Sequence, residues 1–192
     1  MSEIKRHRDP GRRERILHAT LDTVADEGIA QATHRSIARR AQVPLGSMTY
    51  YFAGIDALLE EAFALFAQQM SQNYQQMLGD AVDRQSACEA IARLICSSQV
   101  TQPRNMALMH QFYAFAQRKP ALRSVMQSWM AQSQSTLERW FSPAQSRALD
   151  AFIEGMTLHY VTDTHPLAQE VILEMVQRLA DVQVSGVSNE QR

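Results

Sequence analysis

The chemistry this sequence offers is concentrated in one twenty-residue string, Thr33 to Phe52, THRSIARRAQVPLGSMTYYF. Read at helical spacing, its outward positions are Arg35, Arg39, Leu45, Ser47, Thr49, Tyr50 and Tyr51. They carry guanidinium groups, hydroxyls and an apolar tip, the groups that contact phosphates and base edges. Ile37, Ala38, Ala41, Val43, Met48 and Phe52 fall on the other side and are expected to form a small core. Two short helices joined by a tight turn place the second on the outside of a trihelical unit, where it fits a major groove ~12 Å wide.

No comparable set of reactive residues occurs elsewhere. The sequence has no HExxH, paired-carboxylate arrangement, Gly-rich phosphate loop or nucleophile elbow, so neither catalysis nor a cofactor is expected. Cys88 and Cys96 are the two cysteines, without CxxC spacing, and are expected to be buried free thiols rather than metal ligands or a disulfide. His110 and His159 fall on apolar faces, where a histidine is ordinarily a satisfied core residue. The start, MSEIKRHRDPGRR, is basic with no apolar run after it, and no stretch reaches the ~20 apolar residues of a membrane span. A cytoplasmic protein with no membrane partner is expected.

The elements that must position the string are helices. Ala, Leu, Met, Gln and Arg dominate, and no period-two run of β-branched residues appears, so the fold is expected to be all-α with about nine helices. The first begins at Asp9-Pro10, with Asp9 as the cap, and stops at Gly28. Thr33 caps the second, Arg35 to Ala41, and the third covers Leu45 to Tyr51. A long fourth follows from Gly54-Ile55-Asp56 to about Leu78. Five more are expected at 85–100, 104–117, 121–141, 144–162 and 167–182, most of them separated by prolines. Residues 1–54 thus read as a helix-turn-helix domain, 55–184 as a larger helical bundle for sensing and dimerisation, and 185–192 as a disordered polar tail.

Charge divides at the same place. Residues 1–52 hold nine Lys/Arg against six Asp/Glu, whereas the remainder holds ten against fourteen. Lys5, Arg6, Arg8, Arg12, Arg13 and Arg15 crowd the entrance to the first helix, and Arg35, Arg39 and Arg40 follow on the second. A DNA-facing head on an acidic body fits this asymmetry, as does a solvated charged tail.

The whole pattern resembles the DNA-binding domain of the TetR family of bacterial regulators. The matching features are Gly28, Thr33, Arg35, Ile37-Ala38, Val43, Gly46, Tyr50-Tyr51-Phe52 and Asp56-Ala57-Leu58-Leu59. The strings PLGSMTYYF, GIDALLEEAF and RALDAFIEGMTLH look most like the RcdA-type branch. The resemblance implies that Arg35, Leu45, Gly46, Ser47, Thr49, Tyr50 and Tyr51 touch double-stranded DNA and that Thr33 caps the second helix and reaches a phosphate. Three positions depart from the family pattern. Gln42 stands where glycine is frequent, which forces a non-glycine residue toward positive φ at ~1–2 kcal/mol. Ile55 replaces a phosphate-pairing lysine, and Thr49 a longer tyrosine.

In the second half, Leu149, Phe152, Ile153, Met156 and Tyr160 recur at helical spacing, as do Val171, Ile172, Met175, Val176 and Leu179. The resemblance implies that these helices pair across a two-fold axis in a homodimer; burial inside one chain is the other reading. Met106, Met109, His110, Phe112, Tyr113, Met126, Trp129, Met130 and His159 could line a pocket for a small apolar effector, or be ordinary core. The expected function is a homodimeric repressor on a palindromic operator, modulated by such a ligand. The alternative is a dimeric DNA-binding regulator with no effector, whose second half serves only dimerisation or partner docking.

Overall fold

The computed structural model describes residues 9–182, and within them the chain forms nine α-helices and no strand. The expected basic residues Lys5, Arg6 and Arg8 and the tail 185–192 lie outside the described residues. In order the helices are α1 (Arg12–Glu27), α2 (His34–Arg40), α3 (Gly46–Tyr51), α4 (Ile55–Leu78), α5 (Arg84–Ile95), α6 (Pro103–Ala116), α7 (Pro120–Leu137), α8 (Pro143–Thr162) and α9 (Gln169–Asp181). A single 3-10 turn, Ile29–Gln31, links α1 to α2.

Local signals explain most of the boundaries. Thr33 accepts the Ser36 amide at 3.1 Å while the Ser36 hydroxyl takes the Thr33 amide at 3.0 Å, a reciprocal cap at the start of α2. Asp83 and Ser86 repeat the arrangement at α5, and Ser142 and Gln145 at α8, where Pro143 occupies the first turn. Asp9 does not cap α1 as expected. Its carboxylate is taken by the Arg15 guanidinium at 2.5 and 3.1 Å, so the helix begins after the Pro10-Gly11 turn. The fifth helix stops at Ile95 rather than near residue 100. There the Ser97 side chain accepts the Gln99 amide and its carbonyl takes the Thr101 hydroxyl, local bonds that compete with the helical ladder. The seventh stops at Leu137 rather than Phe141, in a turn closed by the Trp140 amide on the Leu137 carbonyl.

The chain divides into two compact units. One comprises the described residues up to Phe66 together with Ala107–Val125, and the other Ala67–Met106 with the described residues from Met126 on. In the first, Ile16, Leu21 and Val24 of α1 bury beside Ile37 of α2, Met48 of α3, and Leu58, Ala62 and Phe63 of α4. Phe63 stacks on Phe112 of α6 with centroids 4.8 Å apart, a contact worth ~0.5–1.5 kcal/mol beyond its area. In the second unit α5 packs on α8 and α9 through Ile91, Ile95, Leu149, Ile153, Ile172 and Val176. The carbonyl of Ala180, one of the orphan acceptors at the end of α9, is taken by Arg84 and by Gln145 Nε2 at 2.6 Å.

Among the described residues, two have φ in the left-handed half of the map. Gly28 (φ 82°, ψ 159°) lies in a region that only glycine enters readily, and Gln42 (φ 55°) is in the strained state expected for it. Added bulk at Gly28 would meet nothing within 4 Å, so conformation alone is at issue. Gly28→Ala should therefore lower stability by ~1–3 kcal/mol, and Gln42→Gly should raise it by ~1 kcal/mol. Thermal unfolding should move in opposite directions for the two, by ~2–4 °C per kcal/mol in a chain of this size.

Candidate nucleic-acid interface

The site is built on a turn. The amides of Gln42 and Val43 close back onto the carbonyls of Arg39 and Ala38, at 3.2 and 3.0 Å, and Gln42 takes the positive φ that lets the chain reverse. The carbonyls of Pro44 and Leu45 then receive the amides of Ser47 and Met48, which starts α3. Met48 and Phe52 anchor its inner side and are almost fully buried. Arg13 of α1 lies over the Phe52 ring, 5.4 Å from its centroid, and also donates to Glu61 of α4.

Leu45, Gly46, Thr49 and Tyr50 are left on the outer side of α3 and its lead-in residue. Tyr50 is 76% and Leu45 51% exposed, a large outlay of apolar surface on a short helix. Tyr51 is half-buried and meets Tyr50 edge to face at 4.8 Å. Thr33 is exposed, with its hydroxyl already engaged in the cap. Ser47 is a correction. It was expected to point outward, yet it is only 7% exposed, because one turn of helix cannot turn Ser47, Thr49, Tyr50 and Tyr51 all to the same side. A hydroxyl buried there offers nothing to a base edge.

The basic residues fall into two groups. Arg40 is tied to Asp26 at 2.5 Å and Glu27 at 3.0 Å, bonds that hold its guanidinium still more firmly charged. Arg15 and Arg12 are drawn to Asp9, whose carboxyl is held below its ordinary pKa chiefly by the Arg15 hydrogen bond. Arg13 is occupied by Glu61 and Phe52. Arg35 and Arg39 on α2 are exposed and have no ion-pair partner among the described residues. They are the cations of α2 available to a phosphate.

The residues proposed from sequence for a pocket divide between the units. Met109, His110, Phe112 and Tyr113 lie in the first, and Met106, Met126, Trp129, Met130 and His159 in the second. Met106, Met109, Phe112 and Met126 are buried, and Tyr113, Trp129 and Met130 half-buried. His110 and His159 are exposed, contrary to the core placement expected, because each falls just off the buried stripe of its helix. Trp129 borders a small hollow whose other walls, Ser71, Tyr74, Gln132, Ser133 and Thr136, were not singled out from the sequence. Also not singled out were Ser146, Asp150 and Thr157 of α8, buried polar residues recurring on an inward face.

The expected dimer stripe is likewise split. Leu149, Ile153, Ile172 and Val176 are fully or almost fully buried within their own unit, because α5, α8 and α9 pack on one another through them. Phe152, Met156, Tyr160 and Leu179 are half-buried. Val171 and Met175 remain exposed, as do Leu158, Val161, Leu167 and Val182.

A family model described as bacterial regulatory proteins, tetR family, matches residues 16–69, and one described as Tetracyclin repressor-like, C-terminal domain, matches residues 82–182. The chain belongs to the TetR family. It is 31% identical over 166 residues to the HTH-type transcriptional regulator BetI 1 of Chromohalobacter salexigens, covering 78% of each chain. Its fold superposes with a TM-score of 0.85 on SCO7518 of Streptomyces coelicolor A3(2), at 45% identity over 90% of this chain and 100% of that one. The multidrug binding protein EbrR complexed with ethidium is 30% identical, with a TM-score of 0.73 over 89% and 99% of the two chains. As a TetR-family member the chain is a DNA-binding transcriptional regulator with a helix-turn-helix, made here by α2 and α3. No helix among the described residues is long and apolar enough to cross a membrane.

The burial pattern separates two neighbouring side chains by role. On DNA selected in vitro by the protein, Tyr50→Ala should weaken binding by ~1–3 kcal/mol, whereas Ser47→Ala should leave the affinity near that of the parent. Fluorescence anisotropy of labelled duplexes measures both, and equal losses would show that Ser47 reaches the bases.

Proposed function

We propose that the chain acts as a homodimeric repressor in the cytoplasm, binding a palindromic operator through α2 and α3 of each protomer and released by a small ligand. The observation that carries this reading is the outward set Leu45, Gly46, Thr49 and Tyr50 beside the unpaired Arg35 and Arg39, with Thr33 and Tyr51 at its margins. Hydroxyl and apolar tips read base edges, and the guanidinium groups fix register on the phosphates. One short helix reads too few bases for an address. Two placed ~34–36 Å apart read successive major grooves, so the reading requires a dimer.

The surface that fits dimerisation is the exposed apolar side of α8 and α9. Leu158 and Val161 on α8 and Val171 and Met175 on α9 leave apolar area in water that a second copy would cover. Ala151 and Gly155 are exposed on α8 seven and three residues before Leu158, and bulk added at Gly155 would meet nothing within 4 Å, so a partner helix can approach closely there. In this reading residues 1–54 are the DNA-binding domain and 55–184 the sensing and dimerisation domain. Ala107–Val125 packs with the first half of α4 through Phe63–Phe112 and the Lys119–Asp56 ion pair at 2.7 Å. A ligand that shifts this segment carries α4 with it. A coupling of ~1–3 kcal/mol changes operator affinity ~5- to 150-fold, provided the ligand favours one state over the other. EbrR, described as a multidrug binding protein and solved with ethidium, supports a ligand-responsive reading of such a chain.

Arg35→Ala is expected to weaken operator and random DNA alike and to lower the slope of log affinity against log salt by ~1, read from titrations across a salt series. Placing Glu at both Val171 and Met175 should convert the dimer to monomer in sedimentation equilibrium and abolish cooperative binding to the full palindrome. A double variant that stays dimeric would refute the assigned interface.

A further inference from the structure

The second unit buries an acid without a cation. Asp150, on the inner face of α8, is 5% exposed, and its two oxygens accept from Ser133 Oγ at 2.5 Å and Gln134 Nε2 at 3.1 Å, both neutral donors from α7. No Lys, Arg or His among the described residues pairs with it. Burial draws its pKa upward, and the two donors offset only part of that pull. A carboxylate this deeply buried is rare unless paired, because desolvation costs more than neutral hydrogen bonds return.

The surroundings carry further unmatched groups. The Tyr74 hydroxyl, from α4, is shut off from water and lies near Ser133 without a partner at hydrogen-bonding geometry; burial raises its pKa steeply. Tyr74, Trp129 and Ser133 wall the small hollow, which has room for about one water. Ser146 and Thr157, four residues before and seven after Asp150 on the same buried face of α8, also have hydroxyls with no partner. Each buried unsatisfied group of this kind carries a desolvation penalty that a suitable ligand would relieve.

We propose that the hollow walled by Tyr74, Trp129 and Ser133, with Asp150 directly behind the Ser133 hydroxyl, opens into an effector site for a small organic cation, an ammonium or amidinium, held by the Asp150 carboxylate and the aromatic faces. The proposal rests on the ligand-responsive reading above and replaces the apolar effector expected from sequence. A neutral apolar molecule would leave Asp150 and Tyr74 as they are. A cation supplies the missing charge, donates to the tyrosine oxygen, and lies against Trp129 and Tyr74, whose ring faces attract positive charge. Since the hollow admits about one water, the cation has to part α7 from its neighbours, and the two states then differ in the packing that a ligand can select.

Isothermal titration of the full chain with benzamidine, an amidinium at neutral pH, and with benzamide, its neutral isostere, tests this. The amidinium should bind roughly tenfold or more tightly than the amide, and Asp150→Asn should erase the preference. Circular dichroism melts establish that the variant folds, and if it does not, the wild-type comparison decides alone. Equal affinity for the two probes, a preference intact in Asp150→Asn, or binding of neither at millimolar concentration overturns the cationic site. Release of the operator is scored separately. Neutral apolar compounds that release DNA while the cation does nothing leave a ligand-responsive regulator and remove the cation; cation binding with no effect on DNA leaves the site and removes its regulatory role.

Discussion

A six-residue helix is too short to be stable on its own in water, so α3 exists because its inner side is pinned. Met48 and Phe52 are driven into the core between α1, α2 and α4, and the Phe52 ring is covered by Arg13, which is itself fixed by Glu61. The surface proposed to read DNA lies on the opposite side of α3 from those residues. Its orientation is set by apolar packing and one cation over a ring rather than by any contact of its own. The strained turn at Gln42 is tolerated for the same reason: the surrounding core over-determines the chain path.

The distribution of arginines follows a similar division of labour. A count of charges shows a basic head, yet most of the described arginines in it are occupied. Arg12 and Arg15 go to Asp9, Arg13 to Glu61, and Arg40 to Asp26 and Glu27. Arg35 and Arg39 carry no such partner among the described residues. Such exposed pairs contribute little stability. Their effect is to hold the ends of α1 and α2 in place and to confine the unpaired charge to one side of α2.

Elements controlled by local chemistry were legible in the sequence. The cap at Thr33, the proline starts of α6, α7 and α8, the stop at Gly28 and the positive φ of Gln42 all depend on a few neighbouring residues, and all stand as read. What depends on packing was not. Helical periodicity finds an apolar stripe on α8 and α9 but cannot say whether α5 or a second chain covers it, and Leu149, Ile153, Ile172 and Val176 turned out to face α5 and each other. Ser47 failed for a related reason, since six residues give too little length for a face to be told from its flank. The polar inner side of α8 was missed because hydrophobic patterning discounts Ser146, Asp150 and Thr157, although their spacing marks them as sharing a face.

The Phe63–Phe112 stack has a bearing on the conditions under which such a molecule can work. Counterions weaken attraction to a polyanion steeply but hardly touch two rings pressed together away from solvent. A cell that gains or loses salt would thus alter how firmly the duplex is held while leaving α6 and α4 locked to each other. In the proposed reading, grip and internal transmission draw on separate forces, and an osmotic change resets the first without scrambling the second.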